Sequence, residues 1–337
     1  MVAYHAMINR GDKVFVVKEK FGGHYSHRKG EKDPWVGSKA TTLLDMYGAC
    51  VDYLPFDPES YNVDIKAAQA KIYSEQPGLI IVGASEMLFP IPLGDLKAAC
   101  GPKTQILYDA AHVFGLILGG QFQQPLVEGA DMIASSTNKT LGGPCHGIVA
   151  WTQEAENKFS YRESVNQALV PFFTSNHHAH HVAGLAVTLA EMKAYGEDYA
   201  KQVIKNAQAL GRALDDQGLK IVAADHEYSE SHEVLIDIGE DSKEAKDKLA
   251  AVNIIVSRCP IPTSDITNDE GEPNTGLRLG TNEMTRMGMK GEDMKVLAGF
   301  IAEVLSGKNP DGSKPLCERV GACRRKFQDQ KYCFSIE

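Results

Sequence analysis

The sequence predicts an α/β fold: a mostly parallel sheet with helices on both faces, followed by a smaller C-terminal α+β domain. Two observations predict it. Continuous apolar runs such as 78–83 (GLIIVG) have the composition of strands that are buried on both faces of a parallel sheet. Segments with helical periodicity alternate with these runs, as in doubly wound proteins. We expect residues 1–190 to form the large domain and residues 191–337 to form the small one.

In the large domain, elements are assigned where apolar residues recur with helical or strand periodicity and turn residues flank them. The predicted helices lie at 1–9, 63–75 and 93–99. The predicted strands lie at 13–17, 48–54, 78–83, 105–108, 132–134 and 147–152. A long amphipathic helix is then expected from 181 to 217, with an interruption near Gly196 because glycine weakens helices.

The small domain is predicted from shorter, alternating segments of the same two kinds. Its strands are expected at 232–238, 254–257 and 276–281, and its helices at 243–251, 292–305 and 316–328. The polar stretch 265–275 (DITNDEGEPNT) is expected to be a loop.

Composition limits the classes of function. The chain has 337 residues, 43% of them hydrophobic, and a net charge of −9, so nucleic acid has no electrostatic attraction for it. No apolar run approaches the roughly 20 residues of a membrane helix, and no signal segment is visible, which favours a cytoplasmic protein. Seven scattered cysteines without a CxxC pair indicate reduced thiols.

The stretch 108–147 contains the residues that suggest chemistry. Asp109 directly follows the apolar run 105–108, and Lys139 stands among small hydroxyl residues after the run 132–134. A pyridoxal phosphate (PLP) enzyme needs this pair: a lysine amine that forms a Schiff base with the cofactor aldehyde, and a carboxylate that keeps the pyridine nitrogen protonated. The alternative for Lys139 is a solvated surface residue, which an isolated lysine more often is. A phosphate-binding P-loop is excluded, because that motif requires glycine directly before the lysine and this chain has Asn138 there.

The segments 109–115 (DAAHVFG) and 137–144 (TNKTLGGP) together resemble the signature of the serine hydroxymethyltransferase family, and the likeness extends over essentially the whole chain. It implies a fold type I PLP-dependent transferase that makes or breaks the Cα–Cβ bond of β-hydroxy amino acids. In this chain Asn138 replaces the family's usual histidine, and Cys145 replaces an arginine.

The resemblance also implies roles for individual residues around the cofactor. His24, in a Gly-Gly-His segment, would stack on the PLP ring, and His112 would contact the phenolic oxygen. Ser85 and Ser136 would lie close to PLP. Without the resemblance, His24 reads as a structural loop residue and Ser85 as a helix N-cap. His27 stays open between a structural and a functional role.

Further implied roles concern the substrate and a neighbouring subunit. Arg278, in a segment like the family's Arg-Ile-Gly-Thr motif, would bind the α-carboxylate of a small amino-acid substrate, since guanidinium grips carboxylates through two parallel bonds. A structural ion pair is the alternative. Ser175 and Asn176 replace two glycines of a turn that approaches the PLP phosphate of the neighbouring subunit, so a homodimer or larger homo-oligomer is expected.

Several alternatives follow from the departures. Tyr25 replaces a leucine of the folate pocket, and 256–260 replaces a later segment of it, so tetrahydrofolate binding is expected to be weakened. A threonine aldolase or transaldolase that uses an aldehyde without folate is therefore an alternative, as are an aminotransferase and a degenerate PLP-binding homologue. The family also has a segment ahead of the helix at 1–9 that supplies a phosphate-binding turn, so a shortened form with weaker PLP binding is expected.

Four histidines, at 177, 178, 180 and 181, invite a metal site, because two histidines at i, i+3 or i+4 on a helix can share an ion. No carboxylate or cysteine lies close in sequence to complete a ligand set. We therefore expect no metal site.

Overall fold

The computed structural model describes residues 1–30, 41–263, 275–307 and 315–335. They divide into two compact units. The first comprises Met1–Ile117 and Gln123–Leu189, and the second Leu118–Phe122 and Ala190–Glu337. The predicted assignment of functions to domains 1–190 and 191–337 stays a prediction.

The first unit contains a sheet of the strands β1 Lys13–Val16, β2 Cys50–Tyr53, β5 Leu79–Val82, β6 Gln105–Asp109, β7 Met132–Ser136 and β8 Gly147–Trp151. Among the described residues, these strands run in the order β2-β1-β5-β6-β7-β8. All neighbouring pairs are parallel except the last, which is antiparallel. A hairpin of β3 Phe56–Asp57 and β4 Asn62–Val63 accompanies them. The predicted mostly parallel sheet is confirmed.

Burial explains why these runs form central strands. Every residue of β5 is buried, as expected for a strand covered on both faces. Val14, Val16 and Leu107 pack with Leu79 and Ile81 in one apolar cluster. At about 25 cal/mol per Å² of apolar surface removed from water, such side chains supply much of the stability of this unit.

The helices of this unit are α1 Val2–Met7, α2 Leu43–Met46, α3 Ile65–Glu75, α4 Leu93–Ala98, α5 Phe114–Leu118, α6 Pro125–Glu128, α7 Gln153–Phe159 and α8 Tyr161–Gln167. Some of them begin at a residue whose side chain caps the first turn. The Asp64 side chain accepts a hydrogen bond from the Ala67 N–H at the start of α3, and Thr152 accepts one from the Ala155 N–H at the start of α7.

The long helix α9 spans Ala179–Asp216 without interruption, so the predicted break near Gly196 is wrong. The backbone of Gly119 packs closely against α9 at this point. A Cβ on Gly119 would stand 2.4 Å from the Gly196 carbonyl oxygen, whereas a Cβ on Gly196 would stand 3.6 Å from the Gly119 Cα. The close approach therefore requires glycine at 119, and Gly196 is accommodated within a continuous helix.

The second unit contains a sheet in which β10 Ser257–Cys259, β11 Gly276–Gly280 and β9 Glu233–Asp237 lie side by side and antiparallel. The strand predicted at 254–257 is wrong in position, because pairing with β11 begins only at Ser257, and Ile254 and Val256 ahead of it are buried in the apolar cluster. The helices are α10 Lys243–Ala251, α11 Asn282–Arg286, α12 Gly291–Ser306 and α13 Leu316–Arg324.

The last helix ends at Arg324, earlier than predicted. The loop predicted at 265–275 lies outside the described residues except for Thr275. Within the described ranges, no helix has the length and apolarity needed to cross a membrane.

Candidate active site

A cavity of about 430 Å³ opens where the central strands of the first unit end. Ligands bind at this edge of open α/β sheets. Six residues predicted from the sequence line it together: His24, Ser85, Asp109, His112, Ser136 and Lys139. Lys139 is the one lysine, and Asp109 the one carboxylate, among the described residues that line the cavity.

Asp109 is the last residue of β6, and its backbone is held on both sides. The Ala110 N–H donates to the Ala134 carbonyl oxygen at 2.8 Å, continuing the pairing with β7. On the β5 side, Gly83 has φ +107°, and a Cβ there would stand 2.1 Å from the Asp109 carbonyl oxygen. Only glycine fits this conformation and this approach, so the end of β5 helps to place the carboxylate at the cavity wall.

The Asp109 carboxylate has two partners. Its Oδ2 lies 3.4 Å from Nε2 of His27, and its Oδ1 accepts a hydrogen bond from the Ala111 N–H at 2.9 Å. Burial works against the charged form. The hydrogen bond and the positive charge of His27, with the Ala111 N–H, outweigh it and hold the pKa of Asp109 at about 2. The side chain is nevertheless 23% exposed, because its accessible part faces the cavity. Asp109 is therefore an anion at neutral pH.

His24 lies in the loop after β1. Its Nδ1 is 2.7 Å from the Ser26 hydroxyl oxygen, and its ring lies 5.8 Å from the His27 ring. Burial, followed by repulsion from His27, lowers the pKa of His24 from 6.5 to about 4. A neutral, flat imidazole therefore faces the cavity near pH 7.

This depressed pKa predicts a pH dependence of stability. Between about pH 6.5 and 4 the unfolded chain binds a proton at His24 that the folded chain does not bind, so the free energy of unfolding falls as the pH falls through this window. We expect His24→Ala to flatten this slope in urea unfolding of the cofactor-free chain. The matched control is His177→Ala, at an exposed site that does not line the cavity. Equal slopes in wild type and His24→Ala would contradict the assignment.

Lys139 is half-buried in the loop after β7. The next residue, Thr140, is buried and ties this loop to the segment after β6, because its hydroxyl donates to the His112 carbonyl oxygen at 2.7 Å. The same hydroxyl oxygen accepts the Gly115 N–H at 3.1 Å. A Cβ on Gly115 would stand 2.3 Å from the Thr140 carbonyl oxygen, so glycine permits this approach. These contacts hold the neighbours of Lys139 and His112 in register.

The predicted serines are placed differently. No helix begins at Ser85, since α4 starts at Leu93 after Pro92, so the N-cap alternative is wrong. The Ser85 N–H donates to the Gly22 carbonyl oxygen at 2.7 Å, which fixes its position at the cavity. Ser175 and Asn176 are exposed and do not line this cavity, although the neighbouring Thr174 does.

Arg278 belongs to the second unit, in the middle of β11. Its Nε lies 3.7 Å from Oε1 of Glu233, whose side chain is only 1% exposed. The same carboxylate oxygen lies 3.4 Å from Nε2 of His232. An ion pair thus accompanies Arg278, as the structural alternative predicted, and the proposed carboxylate-binding role stays a prediction.

Several residues that line the cavity were not predicted as site residues, among them Tyr4 and His146. Tyr4 from α1 packs edge-on against His27 at 6.1 Å, and burial raises the pKa of its hydroxyl. The helical spacing of Ala3, Tyr4 and Met7 signals an inward face, but not what it faces. His146 lies just before β8 and lines the cavity too. The sequence had left His27 open, and the structure gives it the Asp109 carboxylate.

The residues present fit PLP. A cavity of about 430 Å³ lies within the range of about 300–1,000 Å³ usual for small-molecule sites. It presents one lysine amine, one anionic carboxylate, a neutral imidazole and hydroxyl groups. These are the groups that a cofactor with an aldehyde, a pyridine nitrogen, a flat ring and a phosphate requires.

Comparison with known proteins agrees with this chemistry. A family model described as serine hydroxymethyltransferase matches residues 1–301. Serine hydroxymethyltransferases from Methanocella arvoryzae and Korarchaeum cryptofilum are 38% and 39% identical over 99% of the chain, which covers 75% and 76% of their lengths. The crystal structure of L-threonine transaldolase from Pseudomonas fluorescens superposes with a TM-score of 0.83 at 25% identity, covering 99% of this chain and 71% of that one.

Proposed function

The chain belongs to the serine hydroxymethyltransferase family of fold type I PLP-dependent enzymes, and we propose that it makes or breaks the Cα–Cβ bond of β-hydroxy amino acids, interconverting serine and glycine. The observation that carries this proposal is one cavity holding Lys139, Asp109 and His24 in a chain with such relatives. When bound, PLP supplies a conjugated, positively charged ring that accepts the electron pair of the bond broken at the substrate Cα.

The chain's own residues supply attachment and charge. Lys139 Nζ would bind the cofactor aldehyde, and the Asp109 carboxylate would hold a proton on the pyridine nitrogen. Its low pKa suits this task, because an anion already present stabilises a protonated nitrogen beside it. His27 would act through Asp109, since it orients the carboxylate and keeps it ionised.

The remaining lining residues would position the cofactor. The His24 ring, neutral near pH 7, would stack on one face of the pyridine ring without adding a like charge. His112 would contact the phenolic oxygen, and Ser85 and Ser136 would donate hydrogen bonds close by.

Arg278 is proposed to bind the α-carboxylate of the amino-acid substrate. The contact with buried Glu233 supports this role, because it constrains the guanidinium before the substrate arrives. The ammonium group of a lysine cannot reproduce the two parallel hydrogen bonds that the planar guanidinium of arginine makes to a carboxylate.

We therefore expect Arg278→Lys to raise the KM for serine and to lower kcat/KM by about 10- to 100-fold, the equivalent of roughly 1.5–3 kcal/mol for a charged hydrogen bond. Steady-state kinetics measures both constants. Arg212→Lys is the matched control, because Arg212 is 60% exposed and pairs with exposed Glu227. An unchanged KM in a folded Arg278→Lys protein would remove Arg278 from substrate binding.

A homo-oligomer is part of the proposal. Large apolar side chains are exposed along residues 169–189, including Val170 at 57%, Phe172 at 69% and Val182 at 62%. Such a concentration of exposed apolar surface is typical of an interaction site. It surrounds Ser175 and Asn176, which we propose contact the cofactor phosphate bound by a second copy. The cytoplasmic location remains a prediction.

Transaldolase activity is the second candidate, favoured by the similarity to L-threonine transaldolase and by Tyr25. Tyr25 replaces a folate-pocket leucine, and it is 67% exposed with its ring 4.2 Å from His24. We therefore propose that the chain binds tetrahydrofolate weakly.

The test supplies purified chain and PLP with serine or threonine, with and without tetrahydrofolate, and identifies the products. Glycine from serine is the expected result, and a sharp enhancement of this reaction by tetrahydrofolate would rule out the transaldolase candidate. Acetaldehyde and a new β-hydroxy amino acid, formed from threonine and an added aldehyde with no folate effect, would select the second candidate. If neither serine nor threonine is cleaved between Cα and Cβ while PLP is bound, the proposed function is wrong.

A further inference from the structure

Three histidines from two separate segments meet on the surface of the first unit. His146 precedes β8, whereas His178 and His181 lie at the start of α9. One ligand atom from each lies within 4.8 Å of the other two. The ring centroids are 5.4–5.9 Å apart, with His146 to His181 the shortest separation and His146 to His178 the longest. Only His178 and His181 are close together in the sequence, and the fold brings His146 to them.

We propose that His146, His178 and His181 form a binding site for a divalent first-row transition metal ion of the zinc type. Imidazole nitrogen suits Zn²⁺, and three histidines with one open position form a known ligand set. The proposal does not depend on the PLP chemistry, although His146 also lines the cavity. It replaces the expectation of no metal site, which considered only ligands close in sequence.

The backbone at each ligand is anchored. The Thr137 N–H donates to the His146 carbonyl oxygen at 3.0 Å, and the His146 N–H donates to the Thr137 hydroxyl oxygen at 3.2 Å. The His178 carbonyl oxygen accepts the Val182 N–H at 3.1 Å, the bond that starts α9. Because Zn–N bonds are about 2.0–2.1 Å, the nitrogens must approach one another by at most roughly 1.5 Å. Side-chain rotation provides this, since His146 and His178 are exposed.

Two ring nitrogens support the assignment. His146 Nδ1 lies 3.4 Å from the Gly147 carbonyl oxygen, so Nδ1 can donate there and Nε2 can bind the ion, the usual arrangement for a ligating histidine. In His181, Nδ1 is buried and, among the described residues, has no hydrogen-bond partner. A buried polar atom of this kind calls for water or an ion from outside the chain.

The test uses the full chain without a histidine tag, stripped with a chelator and dialysed against Zn²⁺. Bound metal is counted by emission spectrometry, and affinity is measured by competition with a chromophoric chelator. We expect one Zn²⁺ per chain. His146→Ala, His178→Ala and His181→Ala are each expected to bind Zn²⁺ at least on the order of 10- to 100-fold more weakly, because the loss of an outer-shell partner alone typically has an effect of this size. His177→Ala, from the same segment but outside the cluster, is expected to bind like wild type.

Co²⁺ provides a second readout on the wild-type chain, because a four-coordinate site gives strong visible absorption. We expect these bands in wild type and His177→Ala, and their loss when His146 is replaced. The proposal is overturned if wild type retains no more Zn²⁺ than the triple alanine variant, or if His177→Ala loses as much affinity as the cluster variants. Circular dichroism confirms that each variant is folded.

Discussion

Replacing Lys139 by alanine is expected to abolish the covalent attachment of PLP and to lower turnover of β-hydroxy amino acids by on the order of 10³-fold or more. One amine provides both the attachment and a group that can move protons at the substrate, and a positioned proton-transfer group alone is worth about 10²–10⁴-fold. No other lysine lines the described part of the cavity to replace it. Steady-state rates of glycine formation from serine measure the loss.

Lys103→Ala is the matched control, because Lys103 is exposed and lies away from the cavity. It should leave turnover and the cofactor spectrum unchanged. If Lys139→Ala retained wild-type turnover with PLP, the catalytic amine would have to come from elsewhere in the chain.

Replacing Asp109 by asparagine is expected to leave part of the PLP binding in place but to lower turnover by on the order of 10²–10³-fold, the loss typical when one electrostatic partner of the reacting group is removed. Asparagine keeps the size of the side chain but not the charge that would hold a proton on the pyridine nitrogen. It also deprives buried His27 of its anionic partner. Turnover and PLP dissociation constants are measured together, so that a binding loss can be separated from a catalytic loss.

Asp95→Asn is the control, since Asp95 is exposed in α4. Asp109→Glu adds a useful comparison, because it keeps the charge and moves it by one methylene. Turnover of Asp109→Asn within a few-fold of wild type would show that the carboxylate does not act on the cofactor.

Much of this site could be predicted from the sequence because its residues stand at the ends of strands with unmistakable composition. β5, β6 and β7 are recognisable as apolar runs, and parallel strands bring their carboxyl ends to one edge. Asp109 and Lys139 therefore meet in one cavity without any long-range information. Ser85 follows the same logic, since it comes just after β5.

Other features depend on tertiary contacts that no local pattern encodes. His27 reaches Asp109 from a loop after β1, a separation of more than 80 residues along the chain. His146 joins His178 and His181 only because the fold brings the residue just ahead of β8 close to the start of α9. The interruption predicted near Gly196 rests on the low helix propensity of glycine alone, whereas the close packing of Gly119 against this point of α9 joins residues distant in sequence.

The central claim is that the chain carries PLP on Lys139, and borohydride reduction tests it most directly. Purified chain with PLP is reduced, digested and analysed by peptide mass spectrometry. The account predicts that the yellow colour disappears and that a reduced pyridoxyl group is found on the peptide containing Lys139. A label on a different lysine, or no covalent label in a chain that turns over serine, would contradict it.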